Sequence, residues 1–168
     1  MNKVDIESLY QRLAPKLTNY LVANGTAYAA ACDIVQETFL RIWKMRDNLE
    51  ADEAMVSGLV YTIARNLRAD SFRHDKFVTF REKIQDFELV SDETQSRVSD
   101  SAYLKGRIMK ALDDLPPLLR EAFLLFQVSE LSIREISLQL GIGESLVKVR
   151  IFRAKHKLRE SLGDLDIL

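Results

Sequence analysis

Residues 115–160 read LPPLLREAFLLFQVSELSIREISLQLGIGESLVKVRIFRAKHKLRE. The pattern predicts three helices, the last two joined as a helix-turn-helix. Ser132 is placed to cap the first helix of that pair, and Glu135, three residues later, can return the bond as a capping box. Ile133, Ile136 and Leu140 then recur at helical spacing. Gly141 can adopt the left-handed conformation that ends a helix. Gly143 stands where the next N-cap belongs, and the second helix starts near Glu144.

That second helix has two unlike sides. Val147, Ile151, Ala154 and Leu158 fall on one face of a 3.6-residue period and are expected to pack on the preceding helices. Lys148, Val149, Phe152, Arg153 and His156 project away from it, with Arg150, Lys157 and Arg159 nearer the flanks. No acidic residue interrupts the run from Ser145 to Arg159. A backed helix with a basic outer face suits a DNA major groove, its first turns reaching base edges and its flanks meeting phosphates. A solvated basic surface helix is the plainer alternative, and the capped helix and glycine turn before it favour nucleic acid.

The whole chain of 168 residues has a net charge of −1, so its basic character is local. With 47% apolar and 29% charged residues it has the composition of an ordinary globular protein. Long segments of helical periodicity dominate, which predicts an all-α fold of two small helical domains, 1–76 and 102–168, joined by a flexible acidic linker over 77–101. The single cysteine, Cys32, excludes an internal disulfide and is expected to be a small buried residue. The start, MNKVDIESLYQRL, has no apolar signal core, and nothing reaches the length of a membrane span. A cytoplasmic protein without membrane insertion is expected.

Taken in order, a first helix is expected over 5–24, with Pro15 kinking or breaking it. A second is expected over 26–46, burying Val35, Thr38, Phe39 and Ile42. Its opposite face carries Asp33, Gln36, Glu37 and Leu40, with Trp43 at the edge. An apolar centre with a polar rim and an aromatic anchor is what a partner surface requires, although a singly exposed leucine is also common. After a polar loop over 47–52 comes a third helix, 53–74. Tyr61, Arg65, Arg68 and Phe72 lie along one side of it, with Asn66 and Arg73 in the same segment. Aromatics interleaved with arginines can stack unpaired bases, but for a lone pair of aromatics such as Tyr61 and Phe72 a place in the core is the favoured reading. The linker carries Asp86, Glu88, Asp92 and Glu93, with residual helix near 81–89. A fourth helix is expected over 102–112, and Pro116-Pro117 opens the fifth.

DIVQETFLRIW (33–43), YTIARNLRADSFR (61–73) and the stretch 115–160 together resemble bacterial RNA polymerase sigma factors, most of all the small extracytoplasmic-function (ECF) class that keeps only regions two and four. The resemblance implies roles. Asp33, Gln36, Glu37, Leu40 and Trp43 would dock on the clamp coiled coil of the polymerase core. Tyr61, Arg65, Asn66, Arg68 and Arg73 would open the minus-ten element and hold its single strand. The loop over 47–52 would help capture a flipped base. Ser145, Lys148, Val149, Arg150, Phe152, Arg153, His156 and Lys157 would read the minus-thirty-five element as duplex. An anti-sigma factor would control the protein.

The chain departs from the family at Gly58, where an aromatic is frequent. It departs again at Val149 and Phe152, which cannot donate hydrogen bonds to bases but can touch a thymine methyl. Three rivals stand beside this reading: a stand-alone helix-turn-helix regulator, a sigma-like mimic that sequesters an anti-sigma factor, and an enzyme. The first leaves DIVQETFLRIW unexplained. The second needs no DNA-reading helix. For the third there is no nucleophile near His74 or His156, no metal-ligand spacing and no phosphate-binding glycine loop. No catalytic residue, metal or cofactor is expected.

Overall fold

A computed structural model describes residues 4–49, 52–74 and 97–163; the side chains of 72–74 and 97–100 fall outside the description. The described residues form seven α-helices and no strand. In chain order they are α1 (Ile6–Ala23), α2 (Tyr28–Lys44), α3 (Glu53–His74), α4 (Arg97–Asp114), α5 (Pro117–Gln127), α6 (Ile133–Leu140) and α7 (Glu144–Leu162), with a single 3-10 turn at Arg46–Asn48.

Helices α1, α2 and α3 form the N-terminal half. Asp5 caps α1 by accepting the Ser8 N–H, and Leu9, Leu13, Leu17 and Leu21 line its buried side. Pro15 does not break the helix: α1 is continuous through it. A mid-helix proline costs about 3 kcal/mol, but Leu13 and Leu17 on either side are buried, and each such burial contributes about 1.5–3 kcal/mol. Helix α2 buries Ile34, Val35, Thr38, Phe39 and Ile42, and the Thr38 hydroxyl is satisfied by the Ile34 carbonyl at 2.7 Å. Cys32 departs from expectation. It is partly exposed and lines a shallow cleft between α1 and α2 with Tyr10 and Tyr28. A hydrogen bond with Cys32 raises the pKa of the exposed Tyr28 phenol.

The C-terminal half packs α4, α5 and α6 against α7. Helix α4 begins at Arg97, earlier than the expected 102, so helical structure reaches into the expected linker. The rest of that linker, including the helix expected over 81–89, lies outside the described residues. Pro117 occupies the first turn of α5, where a missing N–H is harmless. The capping box at Ser132 and Glu135 is complete, with bonds of 3.1 and 3.4 Å. Gly141 closes α6 at φ 67°, a backbone that costs a residue with a side chain about 1–2 kcal/mol. Val147, Ile151, Ala154, Leu158 and Leu162 are the buried face of α7.

The two halves touch. Helix α3 packs on α6, and α1 packs on α5. Tyr20 of α1 and Tyr61 of α3, both fully buried, meet edge to face with ring centres 5.7 Å apart.

Candidate polymerase and promoter interfaces

The outer face of α2 is built by default: once Ile34, Val35, Thr38, Phe39 and Ile42 turn inward, the residues between them turn out. Asp33, Gln36, Leu40 and Trp43 are exposed and Glu37 is at its margin. Leu40 is 46% and Trp43 51% exposed. Trp43 is not loose. The Arg46 guanidinium lies 4.2 Å over its ring and donates to the Trp43 carbonyl at 2.8 Å. Arg41 pairs with Glu37 at 3.1 Å. The result is a partly held apolar pair inside a polar rim, the composition of a protein-docking patch.

On α3 the five expected residues fare differently. Tyr61 is fully buried, and burial pushes its phenol up to about 12. Ser129 is close enough to act on that hydroxyl, yet neither oxygen completes a hydrogen bond. Tyr61 therefore sits in the core of this arrangement, as its alternative reading required. Arg65 pairs with Glu121 of α5 at 2.7 Å and donates to the Gln139 carbonyl of α6 at 3.3 Å. Arg68 turns inward and fastens the turn between α1 and α2, donating to the Asn24 carbonyl at 2.7 Å and to the Thr26 hydroxyl at 3.3 Å. Burial pulls its pKa below the ordinary arginine value. Asn66 is exposed, and the Arg73 side chain lies outside the described residues. Asp47 and Asn48 of the expected base-capturing loop are exposed in the 3-10 turn; residues 50–51 lie outside the described residues.

On α7 the expected residues form one open face. Ser145, Lys148, Val149, Phe152, Arg153, His156 and Lys157 are exposed, and Arg150 is half-buried at the flank. Val149 is 40% and Phe152 71% exposed, one turn apart. His156 lies 3.3 Å from Glu160, a pair that is ionic only when the imidazole is protonated. Leu146, 41% exposed at the start of the helix, belongs to the same surface and was not singled out by charge pattern.

Sequence reasoning also missed Glu121 and Gln139, which hold Arg65. One signal for Glu121 was present: it is an acid set among the apolar positions of LLREAFLLF. Among the described residues no group of three or more His, Cys, Asp or Glu could hold a metal ion. None of the described helices is long and apolar enough to cross a membrane.

Comparison with known proteins identifies the family. Residues 9–77 match the family described as Sigma-70 region 2, and residues 105–158 match Sigma-70, region 4. The RNA polymerase sigma factor CarQ of Myxococcus xanthus is 31% identical over 161 residues, covering 96% of this chain and 91% of that one. The ECF RNA polymerase sigma factor SigM of Bacillus subtilis is 28% identical, covering 92% and 93%. Among solved structures, the sigma factor RpoE in complex with the anti-sigma factor NepR from Bartonella quintana superposes with a TM-score of 0.69 at 25% identity, over 96% of this chain and 98% of that one. With regions 2 and 4 in this order, and with relatives matched over nearly all of both chains, the protein belongs to the sigma-70 family as a sigma factor of the ECF class.

Proposed function

We propose that three faces divide the work of promoter-specific initiation among them. As an ECF sigma factor the chain directs RNA polymerase core to promoters. The face of Asp33, Gln36, Glu37, Leu40 and Trp43 docks on the core, at its clamp coiled coil. Arg65, Asn66 and Arg73 of α3 hold the single strand of the minus-ten element. Helix α7 reads the minus-thirty-five element as duplex. The polymerase supplies the chemistry and the sigma factor supplies position, in the cytoplasm. Residues 1–76 and 102–168 are the two working domains, the second entered through α4, which begins at Arg97. Control falls to an anti-sigma factor, as in the solved RpoE–NepR complex.

The observation that carries this reading is the two-sidedness of α7. Its buried face is apolar throughout, and its open face sets Val149 and Phe152 among Lys148, Arg153 and Lys157 behind a left-handed glycine turn. The cations offer phosphate and guanine contacts, whereas the two apolar side chains can only pack on base faces or thymine methyls. Val149→Ser should therefore change which upstream sequence is preferred more than it changes overall affinity. Start-site mapping of in vitro transcription by core polymerase plus this protein on a promoter library reads that preference. An unchanged upstream preference after exchanging Val149 and Phe152 removes them from the reading face. For docking, Leu40→Ala with Glu37→Lys should weaken core capture while the helical circular dichroism is kept. Core binding as tight as wild type would end the assignment of α2.

A further inference from the structure

Gly58, Thr62 and Arg65 stand at i, i+4 and i+7 of α3 and so share one face. Each meets the C-terminal half. A Cβ on Gly58 would lie in ordinary contact, 3.7 Å from Gln139 Oε1, so α6 runs close to this position and only a side chain much larger than a methyl would need the space that Gln139 fills. Gln139 Nε2 donates to the Thr62 hydroxyl at 3.0 Å. Arg65 donates to the Gln139 carbonyl and pairs with Glu121, which also accepts from the Tyr20 hydroxyl at 3.1 Å. At the edge, Lys16 meets Glu130 at 2.7 Å.

The chemistry of this contact resembles the chemistry that α3 offers to DNA. A guanidinium donates to a planar pair of carboxylate oxygens much as it donates to the oxygens of a phosphate. Glu121 thus occupies the guanidinium that a phosphate would otherwise need. The contact is also built to be exchanged. Arg65 and Glu121 keep 28% and 23% of their side-chain surface exposed, and Glu130 keeps 67%. Partly solvated ion pairs contribute little that another anion could not replace. Meanwhile the outer face of α7 stays open to solvent, with Phe152 among its most exposed side chains.

We propose that the C-terminal half is a built-in competitor of the melted strand: Glu121 and Gln139 occupy the strand-holding face of α3, so that closure and strand binding exclude each other. Duplex reading by α7 is left untouched by this closure. The inference rests on the assignment of α3 to the single strand, and the experiment separates the two.

The full-length protein is examined by small-angle scattering, and by anisotropy titration of a labelled single-stranded minus-ten oligonucleotide. Gly58→Phe, whose ring would collide with Gln139, and Glu121→Gln, which removes the charge and keeps the shape, should both enlarge the radius of gyration. Both should also raise strand affinity about tenfold, the scale of one charge-assisted contact. Arg65→Glu should open the protein, and Arg65→Glu with Glu121→Arg should close it again, which no merely destabilising change would do. An unchanged radius in both Gly58→Phe and Glu121→Gln overturns the closure and leaves the strand assignment standing. Expansion with no gain in strand binding overturns the competition together with the reading of α3 as the strand-holding helix.

Discussion

Helices α3 and α7 each carry arginines and aromatics on one side, yet the structure treats those sides in opposite ways. On α3, Tyr61 is buried, Arg65 is held by Glu121 and Gln139, and Arg68 is turned onto the Asn24 carbonyl. On α7, Lys148, Val149, Phe152 and Arg153 face solvent. The difference lies in what backs each helix. Helix α7 is central to its own half and buries a complete apolar face against α4, α5 and α6, so its polar face is necessarily outward. Helix α3 is the surface on which the other half rests. A basic aromatic stripe is therefore left open on one helix and covered on the other, and only its neighbours distinguish the two.

The largest effect expected from breaking this comparison comes from the backing of α7. Ile151→Ala removes part of a buried side chain that fixes the helix, at about 2–4 kcal/mol of stability. Thermal unfolding should show the loss, and upstream-duplex binding should fall with it. A variant that unfolds early yet reads the duplex normally would show that α7 does not depend on its packing.

Next come the cations. Lys148→Ala or Arg153→Ala should weaken duplex binding by about 1–3 kcal/mol and leave the radius of gyration unchanged. Arg65→Ala should do the reverse in the free protein, enlarging it without altering duplex affinity. Equal behaviour of the two sets in a salt titration and a scattering measurement would erase the distinction between the helices.

Much of the C-terminal half was legible because its determinants are local. Ser132 and Glu135 are three residues apart, and their capping box forms as read; so do the Gly141 turn and the inward face of α7. The junction was not legible because its determinants are distant. Arg65 reaches a carbonyl 74 positions away, and Tyr20 bonds a carboxylate 101 positions away. Periodicity reports which side of a helix is apolar, but not which partner will cover a polar side. The same limit explains Pro15 and Cys32. Continuity of α1 is decided by the burial of Leu13 and Leu17, and the exposure of Cys32 by a cleft between two helices.

Smaller effects sharpen the comparison. Ser132→Ala removes the cap on α6 and should cost about 1 kcal/mol. It should loosen α6 on its contacts with α7, α3 and α5, and hydrogen exchange in α6 would record it. Least of all is a titration at the junction. Burial first, opposed by Ser129 and reinforced by the charge of Glu135, pushes the Tyr61 phenol up to about 12. Because the folded value lies above the ordinary one of about 10, the neutral phenol contributes fully below pH 10 and its contribution is lost as pH rises from about 10 through 12. Denaturant midpoints of wild type should fall more steeply over that window than those of Tyr61→Phe; parallel curves would place the phenol in water.

The central claim is that closure covers α3 and spares α7. It is tested most directly by titrating the free protein, at one fixed salt concentration, against the single-stranded minus-ten oligonucleotide and against the upstream duplex, with wild type and Gly58→Phe side by side. The account predicts that Gly58→Phe gains about tenfold for the strand and nothing for the duplex. A gain shared equally by both ligands, or wild-type strand binding already as tight as the variant's, would contradict it.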